Sequence, residues 1–473
     1  MLRALHNAIG ILPRSAILAG AIMLTYGLSL KYGFSQDDWY FLRISQATSV
    51  SDVLRFFNPF TQSGFAFYRP LSTQLYYYLL GSTPWAMHLA MLILHFLNAL
   101  LVAKLVRRLG KSETVATTVA LLYGISAVHF LSLFYIAATQ QLLAAFFSLL
   151  TLCTFLEDRV TWRNLAQSAM LFALAVLSKE TALMTPLIAP ILILLRDGYP
   201  QRQRDWPRLF GRLLPVLGVT GLYVIMRILS FQGVQSEYHL MLNLSILTNY
   251  RWYSLFAVGF PEELVRFGLP RMMIDFGRFA SQFGWRGVAL ILGGGIVWLR
   301  LLVAIVTGLG TRGPRKAATL AYLLWFIISL LPVVMLRDHL YPHYLDLGLV
   351  PLLLLLIENT RAPWRPLIIG LMVAMSWLAI WVSLDVHWTI GRATYATKIQ
   401  EYLAAHRDLC DHSTWEITGD IQSVREVSYV LSLENGPQVL CRNPELRVYY
   451  LGVSSQAAPE GTLPLAAKEL IHP

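Results

Sequence analysis

Apolar stretches of membrane-spanning length recur through this chain, separated mostly by short basic connections. They lie at 15–30, 86–106, 113–131, 139–156, 164–178, 181–196, 212–230, 287–306, 317–336, 344–358 and 366–385. An α-helix needs roughly 20 apolar residues to cross a bilayer, so the pattern predicts about eleven transmembrane helices, some of them short. Of the 473 residues, 56% are hydrophobic and 14% charged, with a mean hydropathy of +0.54. No soluble domain hides that much apolar surface, so the expected fold is an all-α polytopic membrane protein.

The positive-inside rule sets the expected orientation. The basic loops "KLVRRLGK", "EDRVTWRN", "RDGYPQRQRDWPRLFGR", "TRGPRKA" and "ENTRAPWRP" share one side in an eleven-span chain, together with the amino terminus. That side is expected to be cytoplasmic, and the first segment a retained anchor. The net charge of +11 belongs largely to these loops, so nucleic acid is not needed as a partner. The region 231–286 resists the rule. It falls outside yet carries Arg251, Arg266, Arg271, Arg278 and Arg286, and a hidden or re-entrant segment near 244–260 would explain it.

The expected organisation is a transmembrane unit, 1–386, and a small extracytoplasmic α+β domain, 387–473. The unit includes a first outer loop at 31–85 and a central outer loop at 231–286. In the first loop "VSDVLRFFNPF" and "LSTQLYYYLL" read as short interfacial helices. In the tail, "ATKIQEYLAAHR" reads as a helix. "STWEITGDIQSVREVSYVLSL" and "PELRVYYLGV" alternate enough to predict a few strands. Cys410 and Cys441 both fall in this tail, as a disulfide or as two buried thiols; Cys153 sits in an apolar run as packing.

Four constellations stand out on the outer side. "FSQDDWYFLR" places Asp37 and Asp38 where the chain leaves the first segment. Ser35 with an acid three residues on fits a capping box, and the same acids could do chemistry; the two readings are compatible. "FYRPLSTQL" offers Tyr68 and Arg69, a planar fork suited to phosphate or an interfacial side chain reaching headgroups. "LSKETALMTP" sets Lys179 and Glu180 in a turn too tight to leave the membrane boundary, where charges are costly. "LLPVVMLRDHLYPHYLDL" crowds Arg337, Asp338, His339, His343, Tyr344 and Asp346 into one turn. Polar lining of a headgroup cavity suits that turn better than a metal site, for want of a third well-spaced ligand. His95 and Asn98 share one helix face and suit interhelical hydrogen bonds, while Gly293–Gly295 suits close helix packing. No nucleotide fingerprint appears, so a lipid-linked substrate replaces a nucleotide-activated one.

The order of these features resembles the GT-C superfamily of polyprenyl-phosphate-sugar-dependent glycosyltransferases. The nearest likeness is to the transmembrane O-mannosyltransferases that carry TPR repeats and to their bacterial relatives. The likeness rests on the paired acids, Tyr68–Leu71, Pro84–Leu89, Leu94–Asn98, Lys179–Glu180 and the His-rich turn, over about residues 10–385; the TPR array is missing. It implies a GT-C-like fold and inverting transfer from a polyprenyl-phosphate sugar to a glycan, glycolipid or protein hydroxyl. Asp37 would be the base, and Asp38 would orient the acceptor or bind a cation. Arg69, Lys179, Arg251 and Arg337 would hold the donor phosphate, with Tyr68, Glu180, His339, His343 and Tyr344 lining the pocket. No cofactor is required; a divalent cation stays open. The expected location is a bacterial inner membrane with the active site outside. A transporter or lipid flippase is the alternative class, against which stand charges gathered on one face and the lack of an internal repeat.

Overall fold

The computed structural model describes residues 2–60, 67–81, 83–157, 161–198, 205–230, 240, 243, 245–268, 273–336 and 339–471. The side chains of 2–13 and 205–209 are not described. Every predicted apolar run coincides with helix, from Leu2–Tyr26 to Arg365–Val386. Among the described residues six helices are long and apolar enough to cross a membrane: Pro84–Arg108, Ile136–Phe155, Phe210–Ser230, Trp285–Gly310, Pro314–Val334 and Ala362–Val386. A seventh span results if Glu113–Ile125 and Ala127–Phe134, bent by 41°, count as one. Several remaining helices are short for a span, among them Thr185–Asp197 and Asp346–Asn359. The chain is a mostly helical integral membrane protein with a small sheet near its end.

Helix packing follows the small residues. A Cβ at Gly293 would run into the Met375 sulfur, and one at Gly294 into the Phe260 ring, so these glycines let neighbouring segments approach closely. His95 bonds the Gly124 carbonyl at 2.9 Å, and Asn98 donates to the Leu142 carbonyl at 3.0 Å.

The bend between residues 125 and 139 shapes the site. Ser126 turns extended and its carbonyl accepts the Tyr26 hydroxyl. Two short 3-10 turns follow, separated by the five-residue helix Phe130–Phe134 and an extended Tyr135. All of Leu122–Leu142 is buried or nearly so. Irregular backbone at membrane depth is tolerated where protein encloses it or where it lines a cavity.

The stretch from Asp37 to Leu80 carries three helical pieces: Asp37–Ile44, Val50–Arg55 and a π-helical turn, Leu71–Leu75, that continues into Tyr76–Leu80. In the central region a helix, Ser245–Ala257, buries Trp252, Tyr253 and Phe256.

The tail holds a parallel sheet in the order β2-β1-β3, from β1 (Thr414–Thr418), β2 (Arg447–Tyr450) and β3 (Leu463–Ala466). Thr414 pairs with Arg447 and Trp415 with Leu463. One correction concerns "DIQSVREVSYV", read above as part of a strand pattern. It is the helix Ile421–Val430, capped by Asp420, whose carboxylate takes the Ser423 N–H at 2.9 Å. Val424, Val427 and Val430 point inward from it. That spacing of three is a helical stripe, and the cap outweighs the β-branched composition. Cys410 and Cys441 form a disulfide.

Candidate active site

The helix Asp37–Ile44 starts abruptly, and the capping expectation needs correction. The residue before it is Gln36, at φ 53° and ψ −126°, with no side-chain cap. Only half of a capping box forms: the Asp38 carboxylate accepts the Ser35 N–H at 2.9 Å. The Ser35 hydroxyl does not reciprocate, because Gln36 has turned the chain away from a capping geometry. A complete box occurs instead at Ser49 and Asp52, at the head of Val50–Arg55.

The two acids differ in surroundings. Asp37 is exposed; Asp38 is 1% exposed. Asp38 accepts the Tyr77 hydroxyl at 2.7 Å and a backbone N–H from Ala137 as well as that of Ser35. Burial nevertheless pushes its carboxyl up to about 7, with the charge of Asp37 adding to the rise. The Asp37 N–H donates to the Tyr135 hydroxyl at 3.0 Å, and that hydroxyl also meets the Asp37 carboxylate.

The cations are tied to the acids through the irregular segment. Ala137 serves Asp38 with its N–H, and its carbonyl accepts the Gln140 amide at 2.9 Å. The Gln140 oxygen accepts Arg69 Nη1 at 2.5 Å. Arg69 then forks onto Glu180, with Nε to Oε2 at 2.7 Å and Nη2 to Oε1. Ser72, one turn beyond Arg69, donates to the Ser178 carbonyl at 2.7 Å and fastens the π-helical turn to the Lys179 turn.

Lys179 is 5% exposed, with Nζ 4.5 Å from the Tyr344 ring centre. Burial first, and then the like charge of Arg69, brings its ammonium down to about 7, while Glu180 and Asp346 pull the other way. Burial would raise the Glu180 carboxyl, but Arg69 outweighs it and the group stays below its ordinary value. Burial and the charge of Lys179 hold His343 well below the usual imidazole range. Behind them, His129 Nδ1 lies 2.8 Å from Asp346 Oδ1, both side chains fully enclosed.

Asp37, Asp38, Arg69, Lys179, Glu180, His343 and Tyr344 are thus linked by a continuous set of contacts. The other predicted residues fare differently. Tyr68 spends its hydroxyl on the Phe57 carbonyl, at 2.6 Å, and braces the loop. His339 faces the Tyr341 ring. Arg251 stacks 5.4 Å over Trp252, on a helix that packs against the His343 turn; the described contacts joining Arg69, Lys179 and Glu180 do not include it. Arg337 and Asp338 lie outside the described residues. Sequence reasoning missed Tyr77, Tyr135 and Gln140. The polar interruptions in "HFLSLFYIAATQQ" were the available signal. Among the described residues no three His, Cys, Asp or Glu side chains are placed to hold a metal ion.

Residues 69–231, which include Arg69, Tyr77, Tyr135, Gln140, Lys179 and Glu180, match the family described as dolichyl-phosphate-mannose-protein mannosyltransferase. No curated protein matches the chain. Among solved structures, the chain is similar to the arabinofuranosyltransferase AftD from Mycobacteria, at 15% identity and TM-score 0.40, over 86% of this chain and 30% of that one. It is also similar to the oligosaccharyltransferase AglB from Archaeoglobus fulgidus in complex with an inhibitory peptide and a dolichol-phosphate, at 14% identity and TM-score 0.45, over 89% and 63%. A structure of the Archaeoglobus fulgidus oligosaccharyltransferase with zinc and sulfate gives 14% and 0.44, over 92% and 62%. The chain therefore spans 30% to 63% of the length of these proteins.

Proposed function

We propose that the chain moves a sugar from a polyprenyl-phosphate carrier to an acceptor hydroxyl at the outer face of the membrane, with inversion at the anomeric carbon. One observation carries this reading. The exposed carboxylate Asp37, bonded to Tyr135, and its buried neighbour Asp38, bonded to Ala137, are connected through Gln140 to a cation pair, partly buried Arg69 and buried Lys179. A base open to an incoming hydroxyl and a cation site in the membrane boundary are the two things such a transfer needs.

In the proposed reaction the acceptor oxygen gives its proton to Asp37 and bonds to the anomeric carbon. The bond from that carbon to the phosphate oxygen breaks, and polyprenyl phosphate leaves with the electron pair. The transition state has oxocarbenium character, so the Asp37 charge also helps electrostatically. Asp38, buried and held by Tyr77, Ser35 and Ala137, fixes the helix that carries the base. Glu180 occupies much of the Arg69 fork, which leaves Lys179 as the more available partner for the phosphate. His343 and Tyr344 wall its ammonium.

The eleven-span topology belongs to the same proposal: amino terminus and basic loops cytoplasmic, active site and 387–473 periplasmic, in a bacterial inner membrane. The acceptor is a glycan, glycolipid or protein hydroxyl. The test is transfer from a radiolabelled polyprenyl-phosphate sugar by membranes containing wild type or Asp37→Asn. Loss of roughly 10³-fold or more in rate with normal folding in detergent is expected. Full activity in that variant removes Asp37 from the mechanism.

A further inference from the structure

Gln36 is a non-glycine residue held where glycine is favoured, at φ 53° and ψ −126°. It immediately precedes Asp37, so its backbone sets the direction in which the acid helix leaves. Such a conformation persists only where surrounding contacts enforce it. Here the enforcing contacts come from the tail. The Gln36 N–H donates to the Val430 carbonyl at 2.9 Å, and the same carbonyl accepts Trp39 Nε1 at 3.1 Å. The Gln36 side-chain oxygen accepts Arg392 Nη1 at 2.7 Å.

Arg392 sits on Trp388–Ala405, the helix that follows the last apolar segment. Its guanidinium also bonds Glu426, Nε at 2.8 Å and Nη2 at 3.4 Å. Glu426 and Val430 lie four apart on Ile421–Val430. One guanidinium therefore fixes both the strained turn and the helix whose carbonyl completes it. The group lies 4.6 Å from the Tyr429 ring centre and 5.4 Å from that of Trp388. Trp388 in turn presents itself edge-on to Tyr135 at 5.9 Å, and Tyr135 bonds Asp37. Farther along, Arg43 donates to Gln438 at 3.1 Å, a second tie between the acid helix and the tail.

We infer that Arg392 is a positioning residue: it clamps the tail onto the Gln36 turn and thereby holds Asp37 at the angle the transfer requires. This rests on the proposed role of Asp37. The planar, always-charged fork suits the task because it presents donors to Gln36 and Glu426 in fixed directions, a geometry a lysine ammonium does not impose. The clamp acts on geometry alone, so it governs the chemical step and leaves the donor site around Lys179 untouched.

The test is steady-state kinetics of the full chain in membranes, with rates normalised to folded protein, for Arg392→Gln, Glu426→Gln, Gln36→Gly and the Arg392→Gln/Gln36→Gly double variant. Displacement of a reacting group by about 1 Å costs on the order of 10²-fold. Arg392→Gln is expected to lower kcat roughly 10- to 100-fold with donor KM within about twofold. Glu426→Gln, which keeps every backbone contact, falls between it and wild type. The double variant is expected to be no slower than Arg392→Gln, because both changes break one contact. A wild-type kcat in both Arg392→Gln and Glu426→Gln, or losses that multiply in the double variant, overturns the inference. So does a lowered Tm with unchanged kcat per folded molecule, the mark of a purely structural contact. An active Asp37→Asn would instead overturn the underlying reading of the site.

Discussion

The two halves of the site are held by different physics. The acid helix is fixed mainly by hydrogen bonds to neutral groups: Tyr77, Tyr135 and the backbone of Ser35, Ala137 and Val430. The cation half is charge against charge, with Arg69 on Glu180 and Lys179 close by. Hydrogen bonds to neutral groups fix direction. Charges in a low dielectric shift one another's protonation, so that half should respond to every proton and anion that reaches it.

The largest expected effect breaks the cation half at its centre. Arg69→Gln leaves Glu180 without its bidentate partner. Transfer is expected to fall by about 10²-fold or more. Stability should drop by about 1–3 kcal/mol, at the lower end for buried pairs because the Glu180 side chain keeps 33% of its surface exposed. Adding Glu180→Gln should restore the thermal midpoint without restoring the rate. If the double variant recovers both, Arg69 serves only to neutralise Glu180.

Next in size is the pH dependence of donor binding. Burial and the charge of Arg69 bring the Lys179 ammonium down to about 7, against 10.5 ordinarily. A lipid phosphate favours the charged form, so binding above pH 7 takes up a proton. Donor KM should rise with pH there, with a limiting slope of about tenfold per unit. Lys179→Arg, charged throughout, should flatten the profile while keeping a measurable rate. A flat wild-type profile between pH 7 and 9 would separate Lys179 from the phosphate.

The acid half gives a smaller effect, on stability. The Asp38 carboxyl is raised from 3.8 to about 7 by burial. The folded chain then holds a proton that the unfolded chain has lost, so this residue's contribution is complete below pH 4. It declines as pH rises through 7. Thermal midpoints measured from pH 4 to 8 should fall less steeply in Asp38→Asn than in wild type. Parallel curves would mean that Asp38 stays ionised throughout.

What was legible in the sequence follows the same division. Arg69, Lys179 and Glu180 stood out because charges beside apolar runs are rare, and the structure brings them together. Tyr77, Tyr135 and Gln140 were hidden because neutral polar residues at a membrane boundary are ordinary; only the bend at Ser126 shows why they converge. Gln36 and Arg392, 356 residues apart, have no shared pattern at all. The apolar runs gave helix positions well, since each is strongly apolar, but not a count of spans: the 13-residue helix Thr185–Asp197 is short for a bilayer on its own. In the tail, composition favoured strands where Asp420 and a valine stripe of period three specify a helix.

The smallest effect contrasts the acid helix with its neighbour Val50–Arg55. The neighbour has the complete capping box that the acid helix lacks. The Ser49 hydroxyl accepts the Asp52 N–H at 3.2 Å, and the Asp52 carboxylate accepts the Ser49 N–H at 3.0 Å. The Ser49 hydroxyl also donates to that carboxylate, at 2.8 Å, and with the Thr48 N–H and hydroxyl it holds the Asp52 carboxyl below its ordinary value, so the cap is intact at neutral pH and lost in acid. Yet this helix has no buried residue and no described contact with the acids. Ser49→Ala should speed amide exchange in residues 50–55 by about fivefold, as expected for a lost serine cap. It should leave the transfer rate unchanged. At the acid helix the strained Gln36 turn replaces such a cap, and its contacts come from 356 residues away. A fall in transfer rate in Ser49→Ala would show that local helix order in this loop, and not the clamp from the tail, governs the position of Asp37.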